Sequence, residues 1–446
     1  MERSVKLSLI CHFVLLLFLA SAKHCSGNHN DLMNGVRCIG TEREALVSFK
    51  NSLTDPSGRL SSWVGEECCK WEGIGCDNLN GHVTNLNLRN AFHLVDADDD
   101  HDPTASYKRS CLGGKINSSL ATLKYLSYLD LSMNNFEGIP IPGLLGDMSN
   151  LRYLNLSFAS FSGVVPSNLG KLSKLQYIDL YADSYLGISI GELRAESLDW
   201  LSGLSSLTHL NLGFVKLNGV GENWLEKVNL LPSLVELNLH WCELQGLPLS
   251  LPFINFTSLS VLDLSENSFN SLIPSWLFNL TSLRILHLTW NFFQGQIPND
   301  ITNLKLLEVL DLSDNLSLEG HIPGLLGNLT NLKRLDLSAN QFTGDIHEFL
   351  NGFSTSSSES SGLLSLDLSS NSLVGELPES LGKLRNLQRL ILSGNFFSGS
   401  LPASIGSLSF LKVIDLSYNK MNGTISTSFG QLHRLVDANL LMNSWE

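Results

Sequence analysis

After residue 22 the sequence contains no run of 18 apolar residues, so no later segment reads as a membrane-spanning helix. Cations are scarce: 29 Lys and Arg stand against 43 Asp and Glu, a formal net charge of −14. That balance argues against nucleic acid or an anionic membrane surface as a partner. There is no H-E-x-x-H, no P-loop and no G-x-G-x-x-G, and the scattered histidines have no evident nucleophile beside them. An enzyme is therefore not expected, and neither is a cofactor or a metal. Aromatic residues make up only 8% of the chain, which makes any local concentration of them informative.

Arg3 and Lys6 precede an apolar run from Leu7 to Ala20, and Ala20-Ser21-Ala22 supplies the small residues of a cleavage site. Residues 1–22 read as a secretory signal peptide and 23–37 as a spacer, so the mature chain is expected to be soluble after passing through an oxidising compartment. Cys11 leaves with the signal, while Cys38, Cys68, Cys69 and Cys76 cluster in a region, 38–80, that precedes the repeats. They read as two disulfides, because a zinc site would call for paired C-x-x-C spacing. Neighbours Cys68 and Cys69 are unlikely partners for each other. The preferred pairing is Cys38–Cys68 with Cys69–Cys76, and Cys38–Cys69 with Cys68–Cys76 stays open. Cys25 and Cys111 have no assigned role.

Internal repetition dominates the rest. LDLSENSF at Leu262 returns as LDLSDNLS at Leu310 and LDLSANQF at Leu335, with most steps 24 or 25 residues and longer ones of 32, 27 and 31. The pattern is L-x-x-L-x-L-x-x-N/C-x-L, as in Leu259-x-x-Leu262-x-Leu264, and about 14 copies fill residues 81–446, the first degenerate and the last incomplete. The alternation writes one short strand per copy with leucines inward. Asn134, Asn267, Asn291, Asn315, Asn340, Asn371, Asn395, Asn419 and Asn443 occupy the asparagine position, where an amide can satisfy buried backbone groups. Cys242 stands in the same slot and reads as a buried structural thiol. Ala159, Asp183 and Val215 break the slot, so the ladder is expected to be weakest there. FFQGQIP at Phe292, SLVGELP at Ser372 and FFSGSLP at Phe396 then turn the chain back along the convex side. The fold class is α/β: a right-handed leucine-rich-repeat solenoid, a curved superhelix with a concave parallel sheet.

The L-x-G-x-I-P phrase is that of plant-type leucine-rich repeats, and CIGTEREALVSFKNSLTDPSGRLSSWVGEECCKWEGIGC resembles the N-terminal cap of plant leucine-rich-repeat receptors. Thr41-x-x-Glu44 reads there as a capping box opening a short helix with Ala45, Leu46, Phe49 and Leu53 inward. CLGGKINSSLATLKYLSYLDLSMNNFEG and NFTSLSVLDLSENSFNSLIPSWLFNLTSL look like plant receptor-like proteins, especially the group of the ethylene-inducing xylanase receptors. The resemblance implies an extracellular, N-glycosylated protein, held in the plasma membrane by one C-terminal helix and signalling through partner receptor kinases. Against that pattern the sequence stops at LMNSWE without a C-terminal cysteine cap or membrane helix, so a truncated copy or an N-terminal part is expected. If a membrane helix follows in the full protein, the place is the outer face of the plasma membrane, and otherwise the apoplast.

The strand position between the inward leucines carries Asp130, Asp179, Asp263, Asp311, Asp336, Asp367 and Asp415, which reads as solubility and strand spacing. Large aromatics say more, since a solvated face has no need of them. Tyr128, Tyr153, Tyr177 and Tyr181 come from the first full repeats. Phe158, Phe214, Trp241 and Trp290 follow in a corresponding slot, with His209, His240 and His287 nearby. Together they form the candidate ligand-binding patch; past Trp290 the slot turns small or acidic, at Asp314, Ala339, Ser370 and Gly394. Three insertions interrupt the period: an acidic loop with Asp96 and Asp98 that lacks EF-hand spacing, a stretch around GELRAESLDW, and STSSSES at Ser354. Sequons stand at Asn117, Asn155, Asn255, Asn279, Asn328 and Asn422, and a seventh at Asn315 occupies the buried slot and is expected to stay unmodified.

The leading functional expectation is a ligand-recognition ectodomain that senses a microbial elicitor in defence signalling. Its ligand would be a microbial or endogenous protein, peptide or glycan, and its co-receptors receptor kinases. The alternatives are a secreted inhibitor of microbial wall-degrading enzymes, similar to polygalacturonase-inhibiting proteins, and a developmental receptor.

Overall fold

A strand of three residues cannot bury its own apolar face, so each copy of the repeat is stable only against its neighbours. The computed structural model describes residues 37–92, 103–182, 191–353, 362–425 and 427–445, and shows how the copies stack. One sheet of 15 strands runs the length of the molecule in strict chain order. Its first strand, Ile74–Cys76, is antiparallel to Val83–Asn87; from there each strand is parallel to the next. The register is constant: Asn85, Tyr128, Tyr153, Tyr177, His209 and Glu236 stand side by side, and so do Asn87, Asp130, Asn155, Asp179, Asn211 and Asn238. A second sheet of seven short strands, from Gln294–Gly295 to Ser444–Trp445, follows the Gly turns of the later repeats.

The return path is made of single 3-10 turns such as Gly143–Asp147, Ser167–Lys171 and Ser275–Asn279, each entered through a proline (Pro142, Pro166, Pro274) whose fixed φ suits that position. Two of the longer repeats have room for an α-helical turn instead, Trp224–Val228 and His347–Gly352. Trp200 and Trp224 pack here and are buried.

Between the two surfaces lies one continuous core in which Leu129, Leu154, Leu286, Leu310 and Leu335 are all fully buried. The asparagine ladder stitches it. Asn315 Nδ2 lies within 2.9–3.2 Å of the Leu288, Leu312 and Ser313 carbonyls, and its Oδ1 accepts from Phe293 N at 3.2 Å. Cys242 does part of this work with its thiol, directed at the Leu212 carbonyl at 3.2 Å. Where the slot holds Ala159, Phe136 N donates to the Ala159 carbonyl itself at 3.0 Å, so backbone replaces the missing amide; Asp183 lies outside the described residues.

The N-terminal region closes the first rung. Cys38 is paired with Cys68 and Cys69 with Cys76. The helix Gly40–Ser52 buries Ala45, Leu46 and Phe49, while Leu53 lies just beyond it and is only half-buried. The expected capping box does not form. Ile39 is the N-cap without any side-chain bond, so Thr41 is already inside the helix. Glu42 instead turns inward and accepts from Val83 N at 2.7 Å, tying the helix to the sheet. Arg59 completes the tie, donating to Asn134 Oδ1 and to the Leu88 carbonyl, both at 2.8 Å. Residues 1–22, expected to be a signal peptide, and the acidic loop at 96–102 lie outside the described residues, as does the serine-rich stretch 354–361. No helix among the described residues is long and apolar enough to cross a membrane.

Candidate functional site

The constant register converts sequence spacing into columns on the concave face. In the first column Tyr128, Tyr153 and Tyr177 stack ring on ring at 4.2 and 4.3 Å, within 8° and 10° of parallel. His209 continues the column 5.5 Å from Tyr177. Such stacks contribute on the order of 0.5–1.5 kcal/mol per pair beyond the burial itself. The tyrosine hydroxyls are held from the second column: Tyr128 and Tyr177 donate to Asp130 and Asp179 at 3.3 Å, and Asn155 Nδ2 donates to the Tyr153 hydroxyl at 3.2 Å. Burial, and then the neighbouring carboxylates, push the Tyr128 and Tyr177 phenols well above their ordinary range, so both stay protonated donors.

A second cluster lies along the rim where the chain leaves each strand. Phe158 and Tyr181 are 4.9 Å apart, Tyr181 and Phe214 5.2 Å, and Trp241 stacks on Phe214 at 5.3 Å. His240 sits among them, 5.2 Å from Phe214. Tyr181 belongs to this cluster rather than to the tyrosine column: it follows the strand, one position before the slot that Phe158 and Phe214 occupy. Trp290 stands farther along the same rim. Trp241 is 45% exposed and Trp290 49%, whereas the tyrosines are half-buried.

The rim slot has an unfavourable backbone. Phe158, Phe214, Trp241 and Trp290 all have φ between 51° and 62°, the left-handed region that favours Gly, Asn or Asp. Asp314 and Gly394 satisfy that preference in later repeats; the tryptophans do not, and neither does Tyr418, which is 63% exposed in the same slot beyond Gly394, so the slot is not small or acidic throughout the later repeats. A left-handed conformation costs roughly 1–2 kcal/mol for a residue with a Cβ. A half-exposed indole recovers little of that by burial, so folding alone does not account for tryptophan in this slot.

The acidic column is not a solvated row. Asp130, Asp179 and Asp311 are buried, and each strand aspartate brackets the loop after it: Asp130 Oδ1 accepts from Ser132 N and Oγ at 2.9 and 2.6 Å, and Asp336 repeats the geometry with Ser338. Burial pushes Asp179 up to about 6. Burial, with Asp311 and Asp367 on either side, pushes Asp336 up to about 8. The histidines lean on carboxylates of the next strand or its loop: His209 on Glu236 at 3.5 Å, His240 on Glu266 at 3.9 Å and His287 on Asp311 at 3.8 Å. Two of them also meet a hydroxyl, His240 Nδ1 with Ser265 Oγ and His209 Nδ1 with Thr208 Oγ1, each at 2.8 Å, and those hydroxyls are in turn directed at Asp263 Oδ1 and the Gln176 carbonyl. The string GISIG at 187–191 does fit the letters G-x-S-x-G, but that motif needs a strand-to-helix elbow, and Ser189 lies outside the described residues.

The sequons divide. Asn255, Asn279, Asn328 and Asn422 are exposed, and Asn117 is half-buried with Nδ2 on the Ser48 carbonyl at 3.1 Å. Asn155, expected to carry a glycan, is 8% exposed, with its Nδ2 on the Tyr153 hydroxyl at 3.2 Å and its Oδ1 accepting from Ser157 N at 3.0 Å, so its amide is already engaged. Asn315 is fully buried.

Comparison with known proteins agrees with this architecture. The leucine rich repeat N-terminal domain matches residues 39–77. The leucine rich repeat itself matches 125–146, 150–172, 258–280, 282–304, 331–353, 362–384, 386–408 and 410–432. The stretch between 172 and 258, where the slots hold Asp183, Val215 and Cys242, contains much of the aromatic cluster. Receptor-like proteins EIX1 and EIX2 of Solanum lycopersicum are 39% and 38% identical over 278 and 272 residues. Those alignments take in 59% and 60% of this chain and 24% and 25% of the two relatives, so the chain spans about a quarter of the curated relatives it matches. Among solved structures, PEPR1 in the structure of PEPR1–AtPEP1 superposes with a TM-score of 0.58 at 26% identity, covering 91% of this chain and 62% of that one. The Arabidopsis receptor kinase HAESA, in complex with the peptide hormone IDA and the co-receptor SERK1, gives 0.51 at 25%, over 91% and 82%. A leucine-rich-repeat protein of Leptospira interrogans gives 0.59 at 26%, over 81% and 91%, so shape by itself does not distinguish a receptor from other solenoids. The repeats, their N-terminal cap and the likeness to EIX1 and EIX2 together identify the chain as a leucine-rich-repeat protein that resembles the plant receptor-like proteins.

Proposed function

We propose that this chain is the extracellular ligand-recognition surface of a plant receptor-like protein, that it senses a microbial elicitor in defence, and that it signals through partner receptor kinases. The observation that carries the reading is the aromatic cluster from Tyr128 to Trp241, continued by Trp290, on one half of the concave face. The residues nearest to solvent there are the ones whose backbone is least favourable for them. Rigid aromatics of this kind supply interface area at low entropy cost. The elicitor assignment rests on the likeness to the ethylene-inducing xylanase receptor group, and the recognition role is also in keeping with solenoid neighbours solved with peptide partners.

The test is binding of a purified microbial xylanase to the secreted chain by biolayer interferometry, with Tyr177→Ala and Trp241→Ala beside the parent. Binding that falls at least tenfold in both variants supports the reading. Binding that ignores both removes the patch, and no binding by the parent removes this elicitor. Xylanase or polygalacturonase activity that drops when the chain is added would favour the inhibitor reading instead.

A further inference from the structure

Trp241, Glu266 and Trp290 occupy the same rim slot in three consecutive repeats. Each has nearly the same backbone, with φ of 51°, 53° and 53°. Each is anchored by one equivalent bond: Trp241 N donates to the Ser265 carbonyl at 3.0 Å, Glu266 N to Thr289 at 2.9 Å and Trp290 N to Ser313 at 3.1 Å. The three Cα–Cβ bonds therefore leave the rim in the same direction, with Glu266 between two tryptophans. Adjacent strands lie about 4.8 Å apart, which separates the indoles by roughly 10 Å and leaves about 5 Å from a group between them to either ring.

We infer that this slot is a seat for a cationic side chain, an arginine or lysine on an extended peptide segment of the ligand, held over Glu266 between Trp241 and Trp290. The inference rests on the concave patch being the recognition surface and names the chemistry that surface selects. A guanidinium about 5 Å from each ring falls within the roughly 6 Å reach of a cation–π contact, and the carboxylate below supplies the countercharge.

Charge around the seat points the same way. From Tyr128 to Trp290, the two outward strand positions and the second and third positions after each strand carry Asp130, Asp179, Glu236, Asp263 and Glu266, and no Lys or Arg. Glu266 lies 3.9 Å from His240, which is charged only when protonated, and its side chain keeps 18% of its surface open to a ligand cation. A glycan is disfavoured in the neighbouring column. Sugars stack on open ring faces, and the inner faces of Tyr128, Tyr153 and Tyr177 are spent on one another.

The experiment titrates the full chain with a hexa-arginine peptide and with its neutral near-isostere, hexa-citrulline, by isothermal calorimetry. Glu266→Gln, Trp290→Ala and Trp241→Ala are compared with Glu319→Gln, an exposed charge on the second sheet. The inference expects hexa-arginine to bind at least tenfold tighter than hexa-citrulline. It expects Glu266→Gln and Trp290→Ala each to weaken hexa-arginine roughly 3- to 10-fold, and Glu319→Gln to leave it unchanged. Equal binding of the two peptides overturns it, and so does a Glu266→Gln effect no larger than that of Glu319→Gln. If Trp241→Ala still abolishes xylanase binding in that event, the patch stands and only its preference for a cation falls. If Trp241→Ala is silent toward every probe, the patch reading falls as well.

Discussion

Replacing Asn315 by alanine should destabilise the middle of the solenoid by about 3–5 kcal/mol, and the structure shows where that figure arises. The amide reaches three carbonyls with two protons and accepts one N–H, from Phe293 at 3.2 Å. The Leu288 and Leu312 carbonyls have second donors, Asn291 Nδ2 at 3.2 Å and Asn340 Nδ2 at 2.9 Å, so they are not orphaned. Two lost bonds contribute about 1 kcal/mol each, and the stranded buried Phe293 N–H adds roughly 1–3 kcal/mol. Asn340 is the internal control. It donates to the Leu312, Leu337 and Ser338 carbonyls, yet its buried Oδ1 has no hydrogen-bond partner among the described residues. Asn340→Ala should therefore cost less than Asn315→Ala by the one orphaned donor, roughly 1–3 kcal/mol. Because repeats unfold locally, the readout is hydrogen exchange of the strands Val309–Asp311 and Arg334–Asp336, with the thermal midpoint beside it. Equal losses at the two positions, or a loss under about 1 kcal/mol at Asn315, would refute the reasoning.

Burial raises Asp336 from 3.8 to about 8, so its contribution to stability is full below pH 3.8 and is lost as pH climbs through 8. Asp336→Asn, which keeps the acceptor for Ser338, should gain on the parent in thermal midpoint at pH 9 relative to pH 5, and an unchanged difference would contradict this. Peptide mapping of secreted protein should find glycans at Asn255, Asn279, Asn328 and Asn422 and none at Asn155 or Asn315; occupancy at either buried site would count against the fold. Cys242→Asn should fold at least as well as the parent, since the thiol already stands where an amide belongs, while Cys242→Ala should lose about 1–2 kcal/mol in chemical denaturation. Trp241→Asn should weaken ligand binding without lowering the thermal midpoint, because Asn tolerates the left-handed backbone that tryptophan occupies. A large loss of stability would mean that the indole serves the fold.

The repeat could be read from the sequence because a period of 24 with two leucines and an asparagine leaves one solution for stacking. Columns followed from it, so the alignment of Tyr128, Tyr153 and Tyr177 was legible before any contact was known. What spacing could not tell was which side chains face one another across the turn after the strand. Tyr181 is one position away from the slot of Phe158 and Phe214, yet it packs between them. The acidic column was misread because charge suggests solvent, whereas Asp130 and Asp336 are bracketed by serines two residues on. That signal was present as D-x-S in repeat after repeat. A sequon such as that at Asn155 reports chemistry, and only packing shows that its amide is already bonded. Arg59, which joins the N-terminal helix region to Asn134, carried no signal at all, since its partners lie 29 and 75 residues away.

The central claim, that the aromatic half of the concave face meets the ligand, is tested most directly by photo-crosslinking. A benzoylphenylalanine at Phe214 and another at Ser370, both in the rim slot but in opposite halves of the arc, would be irradiated with elicitor-active microbial filtrate and the adducts identified by mass spectrometry. The account predicts one discrete adduct from position 214 and none from 370. The same adduct from both positions, or from 370 alone, would contradict it.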